Sequence, residues 1–522
     1  MAVTRREALA GGGAAVLAVL AWTAEPRAQM PTLPPGASIA VDRCAALPSL
    51  RLPDVRLTEV SFVPANPAAA GPVHVAHCRA TGVIGAEIGF MVWLPENWND
   101  RFLMVGGGGY VGNIPGPGPG VDRGYAVAST DTGHKSDGTD ARWALQNLER
   151  QVNFAYLAIH RAAETAKYLV HEYYSRNAHH AYFSGCSTGG RQALMEAQRF
   201  PGDFDGIAAG APVFDWTRVL AAGIKNSQAA FPDQASLAKP IVTADNLKLV
   251  QDSALKACDA LDGVTDGVID DPVACRFDLA TVAACANDVA GADCLTRAER
   301  RVFERVYAPL TDDQGIVYEG QPVGVEAGAG SWQTWITGNE RAAAAGQPTL
   351  GWGFSTQFFK NFVFADPAWD YTRYDVAKNW RHDSRVYTAL MNADSPDLSA
   401  FRGHKGKLLL WHGWADPALN PLATIRYYKD VVARDPRAVD DVRLFLLPGV
   451  LHCGGGPGPG PFDPVAPLVD WVEKGIAPSE LVARKAATPT QPARSRPVCA
   501  YPAKASYKGT GSTDDAANFI CK

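Results

Sequence analysis

Short apolar runs separated by longer amphipathic stretches set the rhythm of this chain. Residues 101–105, 125–129, 181–184 and 206–209 read as short buried strands. Helical patterns lie between them, notably 148–174 and 191–200, the latter with Ala193, Leu194 and Ala197 on one face. Strand signals return at 407–411 and 442–447, and a helix follows at 467–474. Strands alternating with helices predict an α/β fold, with a mostly parallel sheet covered on both faces. Between about residues 214 and 385 the rhythm breaks. Four cysteines, many aromatics and glycine- and proline-rich loops there predict a large insertion, a lid over the core. The expected organisation is an export signal at 1–28, a first core part at 29–213, the lid at 214–385 and a second core part at 386–522.

The first residues change the picture of where the chain works. Arg5 and Arg6 precede an apolar stretch from Ala10 to Ala21 that is too short to span a bilayer, and Ala28 closes a plausible cleavage zone. This is a twin-arginine type export signal, so a secreted or periplasmic protein is expected. Ten cysteines, an even number, then argue for disulfides rather than reduced thiols. No pair spaced as CxxC points to zinc. The balance of 49 basic and 54 acidic residues leaves a net charge of −5 over 522 residues. That excludes a nucleic-acid footprint and a polybasic membrane patch. The expected partner is a small molecule; the number of subunits is not legible.

The chemistry concentrates in three loops. Gly185-Cys186-Ser187-Thr188-Gly189 joins the strand at 181–184 to the following helix. G-x-S-x-G between strand and helix is a nucleophile elbow, with the helix N-terminus behind the serine. An acid and a base should follow in that order. Asp416 lies just past the strand at 407–411 and His452 just past the strand at 442–447. Ser187, Asp416 and His452 are therefore the candidate triad, with Thr188 as one oxyanion donor. The glycine run after residue 105 should supply the second, Gly109 and Gly112 being the candidates. Cys186 precedes the serine and Cys453 follows the histidine, so a formed triad would bring the two cysteines within bridging reach.

A fourth loop carries three carboxylates. Asp259, Asp262 and Asp266 sit among Gly263 and Gly267, and such crowding asks for a cation or protons. Hard oxygen ligands on a glycine-turned loop suit calcium, although the closing glutamate of an EF-hand is missing. In the lid, Trp332, Trp335, Trp352, Phe354, Phe358 and Phe359 are candidates for aromatic walls, while Lys360 reads better as a surface lysine.

Taken together, a serine preceded by cysteine, an aspartate, and a histidine followed by cysteine resemble the tannase and feruloyl esterase family. The resemblance extends to "STDTGH" (129–134), "YFSGCSTGGRQALMEAQRFPGDFDGIAAGAP" (182–212), "CDALDGVTDGVIDDP" (258–272), "FVFADPAWD" (362–370) and "WHGWADPALNP" (411–421). It implies an α/β-hydrolase core with a large lid, and cleavage of esters of aromatic acids such as gallate, ferulate or terephthalate. It also implies a structural calcium held by Asp259, Asp262 and Asp266 with the carbonyls of Val264 and Val268. The bridges implied are Cys44–Cys78, Cys186–Cys453, Cys258–Cys275, Cys285–Cys294 and Cys499–Cys521. The alternatives are an acyltransferase or peptidase with the same triad, or a non-catalytic calcium-binding protein on this fold.

Overall fold

Nine strands form the central sheet of the computed structural model, which describes residues 39–460, 462–489 and 492–522. The expected export signal, residues 1–28, lies outside these residues. In chain order the first seven strands are β1 (Val55–Val63), β2 (His77–Ile84), β3 (Ile88–Pro95), β4 (Arg101–Val105), β5 (Ala126–Thr130), β6 (His180–Cys186) and β7 (Gly206–Gly210). A hairpin, β8 (Leu310–Asp312) and β9 (Gly315–Tyr318), stands apart in the insertion; β10 (Lys407–Gly413) and β11 (Val442–Leu447) complete the sheet. The sheet order is β1-β2-β3-β5-β4-β6-β7-β10-β11. Strands β5, β4, β6, β7, β10 and β11 run parallel, and β1, β2 and β3 are joined antiparallel at one edge. The six parallel strands are those the hydrophobic pattern predicts, whereas the antiparallel edge is an addition to that reading.

Both faces of the parallel part are buried, which is why its strands read as unbroken apolar runs. Along β10, Leu408 and Leu410 join the core on one face and Leu409 the core on the other. The first face is covered by α1 (Ala158–Tyr174) and α2 (Thr188–Arg199). The second is covered by the helix Val465–Lys474, through Leu468 and Trp471. The predicted helix 148–174 is interrupted by a wide turn at Asn153–Leu157. That turn frees carbonyls, and Arg191 of α2, fully buried, donates to those of Ala155 at 2.7 Å and Phe154 at 3.0 Å. Its guanidinium also lies over the rings of Phe154 and Trp216, so a buried cation with no carboxylate partner among the described residues is solvated by carbonyls and π-faces.

The chain between β7 and β10 is the insertion, and its helices α3 (Trp216–Ala230) and α4 (Leu350–Phe358) pack on each other beside the parallel strands' C-terminal ends. Five disulfides close the fold: Cys44–Cys78, Cys186–Cys453, Cys258–Cys275, Cys285–Cys294 and Cys499–Cys521. These are the pairs the family resemblance implies. No helix among the described residues is long and apolar enough to cross a membrane.

Candidate active site

Ser187, Asp416 and His452 each follow the C-terminal end of a parallel strand: β6, β10 and β11. In open α/β sheets this edge is where ligands bind. Ser187 has φ 63° and ψ −122°, a left-handed conformation that a side chain rarely adopts. The turn is held by the Ser187 amide donating to the Gly210 carbonyl at 3.0 Å, and by the Ser187 carbonyl accepting from Arg191 and Val213. It is also tight, for a Cβ on Gly185 would lie 2.6 Å from the backbone of Gly189. Only glycine lets β6 and α2 approach this closely.

Asp416 is buried and its four lone-pair positions are taken. Oδ1 accepts the amides of Ala418 at 2.8 Å and Leu419 at 2.9 Å. Oδ2 accepts from His452 Nδ1 at 2.8 Å and from His412 Nε2 at 3.1 Å. Burial opposes ionisation of Asp416, yet the two histidines beside it hold its carboxyl well below the usual carboxylate range. The bond from Nδ1 fixes the His452 ring and leaves Nε2 for other partners. Trp335 meets that ring edge-on, with centroids 5.1 Å apart. Cys186 and Cys453, bonded with Cα atoms 6.0 Å apart, tie the Ser187 turn to the His452 loop.

Ser187, His452 and this disulfide line one cavity of about 330 Å³. Its floor carries Gly108, Gly109 and Thr188, and its walls are largely apolar: Val213, Trp216, Val219, Leu220, Trp335 and Phe354. Of the six lid aromatics proposed as walls, Trp335 and Phe354 line the cavity. Trp332, Phe358 and Phe359 are buried in the hydrophobic core instead, and Trp352 packs against that core. Lys360 does not line the cavity. The sequence reading missed Trp216, Val219 and Leu220 of α3. The signal was their helical spacing directly after β7, the strand next to the elbow strand.

The glycine run needs a correction. Gly112 does not line the cavity, and its amide donates to the Asp131 carbonyl at 3.1 Å, so it is not a free donor. Gly109 does line the cavity, and within the described residues no hydrogen bond takes up its amide or that of Thr188. The Thr188 hydroxyl donates to the Gly109 carbonyl at 2.7 Å, which couples the two segments. Gly109 has φ 56°, and a Cβ there would meet the Gly138 carbonyl oxygen at 2.3 Å.

In the acidic loop, Asp259 is buried and accepts the amides of Asp266 at 3.2 Å and Gly267 at 3.0 Å. Asp262 accepts the amide of Val264 at 2.9 Å. Asp266 Oδ2 meets Arg494 at 3.2 Å and Arg496 at 2.5 Å, both from the C-terminal segment. Burial, and Asp266 beside it, raise the Asp262 carboxyl; burial and Asp262 push Asp270 up to about 7. Val264 and Val268 are buried, and no hydrogen bond among the described residues takes up their carbonyl oxygens. Crowded carboxylates beside orphaned carbonyls form an all-oxygen donor set, which fits a calcium ion.

Sequence comparison gives this geometry a family. The sequence model described as "Tannase and feruloyl esterase" matches residues 73–522. The chain belongs to the tannase and feruloyl esterase family. It is 37% identical to an uncharacterized esterase of Xanthomonas campestris, with 92% of this chain and 91% of that one covered. It is 33% identical to a mono(2-hydroxyethyl) terephthalate hydrolase of Piscinibacter sakaiensis, over 87% and 85%. Among solved structures, feruloyl esterase B from Aspergillus oryzae superposes with a TM-score of 0.81 at 26% identity, over 92% of this chain and all of that one. The core is that of an α/β-hydrolase carrying a large insertion, and the protein is a carboxylic ester hydrolase.

Proposed function

We propose that this tannase and feruloyl esterase family member is an exported serine esterase that cleaves uncharged esters of aromatic acids. The observation that carries the reading is the His452–Asp416 bond at 2.8 Å, in a cavity that also presents Ser187. His452 Nε2 takes the Ser187 hydroxyl proton as Oγ attacks the ester carbonyl carbon. The carbonyl π-electrons move onto oxygen, and the amides of Thr188 and Gly109 receive that oxyanion, each worth roughly 3 kcal/mol of barrier. Collapse expels the alcohol, which takes the proton from His452. Water, deprotonated by His452, then releases the acid from Ser187. Asp416 holds the imidazole tautomer and stabilises the imidazolium. The residues from 214 to 385 act as the lid that shapes the acyl site.

Calcium belongs to the acidic loop. Asp259, Asp262 and Asp266 with the carbonyls of Val264 and Val268 would hold it, and its role there is to stabilise the loop. Export is supported by the twin-arginine type start and by the five disulfides, which persist in oxidising compartments.

The cavity also selects among aromatic acids. Among the described residues that line it there is no lysine or arginine. An ionised carboxylate on the acyl group, as in mono(2-hydroxyethyl) terephthalate, would lose its hydration and find no cation. Phenolic acyl groups such as feruloyl or galloyl keep their charge-free character in the same space. Turnover of methyl ferulate, methyl gallate and mono(2-hydroxyethyl) terephthalate at pH 7 tests this. The neutral esters should lead in kcat/KM by about 100-fold, the scale of an unpaired buried charge. No hydrolysis of any ester would end the esterase reading, and preference for the anionic ester would end the charge argument alone.

A further inference from the structure

His412 on β10 is fully buried and is no part of the Ser187, Asp416 and His452 assignment. Its Nε2 faces two acceptors, Asp416 Oδ2 at 3.1 Å and the Leu419 carbonyl at 3.0 Å. Neither acceptor carries a proton, so Nε2 does, and it donates to both. Its Nδ1 lies 2.8 Å from the Thr424 hydroxyl, at the start of the helix Pro421–Arg434, and in the neutral ring it accepts from that hydroxyl. The ring is thus clamped from both sides, in one tautomer.

We propose that His412 is a positioning residue for the catalytic acid, setting both the orientation of Asp416 and the basicity of His452 through the oxygen the two histidines share. The proposal rests on the triad reading. Two imidazole N–H groups converge on Asp416 Oδ2. Each donor draws on the same negative charge, so His412 weakens the hold of Oδ2 on the His452 proton. It also stops the carboxylate from turning away from His452. Leu419 extends the link to substrate: its amide binds Asp416, its carbonyl binds His412, and it lines the cavity.

Tyr318 of β9 also faces Asp416 among the described residues, and its oxygen accepts the amide of Asn420. Burial pushes its phenol well above the usual range, so it stays neutral. Glu319 and Asp215, which face Tyr318, are paired with Arg426, and Asp215 also with Arg218. No other charge thus competes with His412 for this role among the groups packed here.

The test is the pH profile of kcat/KM for methyl ferulate in His412→Phe, His412→Gln and Thr424→Val, with Ser187→Ala as reference and thermal melting as the check of folding. Loss of the donor lets Oδ2 bind the His452 proton more firmly. The acid limb in His412→Phe should therefore move up by about 0.5 pH units or more, with kcat lowered about 10-fold and KM little changed. His412→Gln keeps an N–H at the same reach and should restore the limb. Thr424→Val releases the ring and should move the limb the same way by less. A folded His412→Phe with an unmoved limb overturns the proposal; if that variant does not fold, an unmoved limb in Thr424→Val does so. Full activity in Ser187→Ala would instead overturn the triad reading itself.

Discussion

Two loops of this protein are each closed by a disulfide and each crowd polar groups together, yet they solve that crowding differently. At the sheet edge, Cys186–Cys453 joins segments 267 residues apart, and every lone-pair position of Asp416 has its donor. In the insertion, Cys258–Cys275 encloses one continuous stretch in which burial and neighbouring carboxylates raise Asp262 and Asp270, and no hydrogen bond among the described residues takes up the Val264 and Val268 carbonyls. The first arrangement is filled by protein groups alone, which on the proposed reading suits a proton transfer. The second leaves carbonyl oxygens over among the described residues, a donor set that fits a calcium ion. On the proposed reading, a filled hydrogen-bond shell goes with a site that moves a proton, and crowded carboxylates beside unfilled carbonyls go with a site that holds a cation.

The comparison can be broken most forcefully at the first bridge. Cys186→Ala/Cys453→Ala removes the link one residue away from both Ser187 and His452. A misplacement near 1 Å costs about 100-fold in rate, so kcat should fall by about that factor at a temperature where the variant is still folded. Wild-type turnover by the folded variant would reduce the bridge to a stability element.

A smaller effect is expected at the second bridge. Calcium chelation should lower the melting temperature by a few degrees, since removing a ligand held well above its Kd costs about 3 kcal/mol. Metal analysis should find about one calcium per chain in the wild type and less in Asp262→Asn. Absence of calcium with an unmoved melting curve would refute the site.

The smallest effect sharpens the rule, because crowded carboxylates have a second remedy, a proton. Glu196 on α2 is buried, neither of its oxygens has a donor among the described residues, and burial and neighbouring Asp203 raise its carboxyl well above the usual range. A carboxyl protonated in the fold but ionised in the unfolded chain supports stability below the unfolded value. That support is lost as pH rises above it. Relative to wild type, Glu196→Gln should therefore gain about 1 kcal/mol of stability between pH 5 and pH 6, and more as pH rises further, read from melting curves. A loss that is the same at every pH would contradict a neutral Glu196.

Much of this was legible in the sequence, for physical reasons that can be named. The parallel strands are buried on both faces, so β4 and β11 read as apolar runs with their observed bounds. Active loops follow such strands directly, which made Ser187, Asp416 and His452 readable as positions. β1 was not legible: its alternation breaks between Leu57 and Glu59, and it is partly exposed. Gly112 was misjudged because consecutive glycines look alike in sequence, while the carbonyl of Asp131 distinguishes them in space. His412 was passed over because a histidine inside a strand gives no sign of what its two nitrogens touch. Arg494 and Arg496, far from the acidic loop in the chain, reach Asp266 through tertiary folding alone.

Trapping its acyl form would show whether Ser187 is the nucleophile. The enzyme would be mixed rapidly with a chromogenic ester of a slow-leaving aromatic acid, quenched in acid and mapped by peptide mass. A burst of alcohol is expected, with the acyl group on the peptide that carries Ser187, and neither in Ser187→Ala. Steady ester turnover by folded Ser187→Ala, or an acyl group on a different residue, would contradict it.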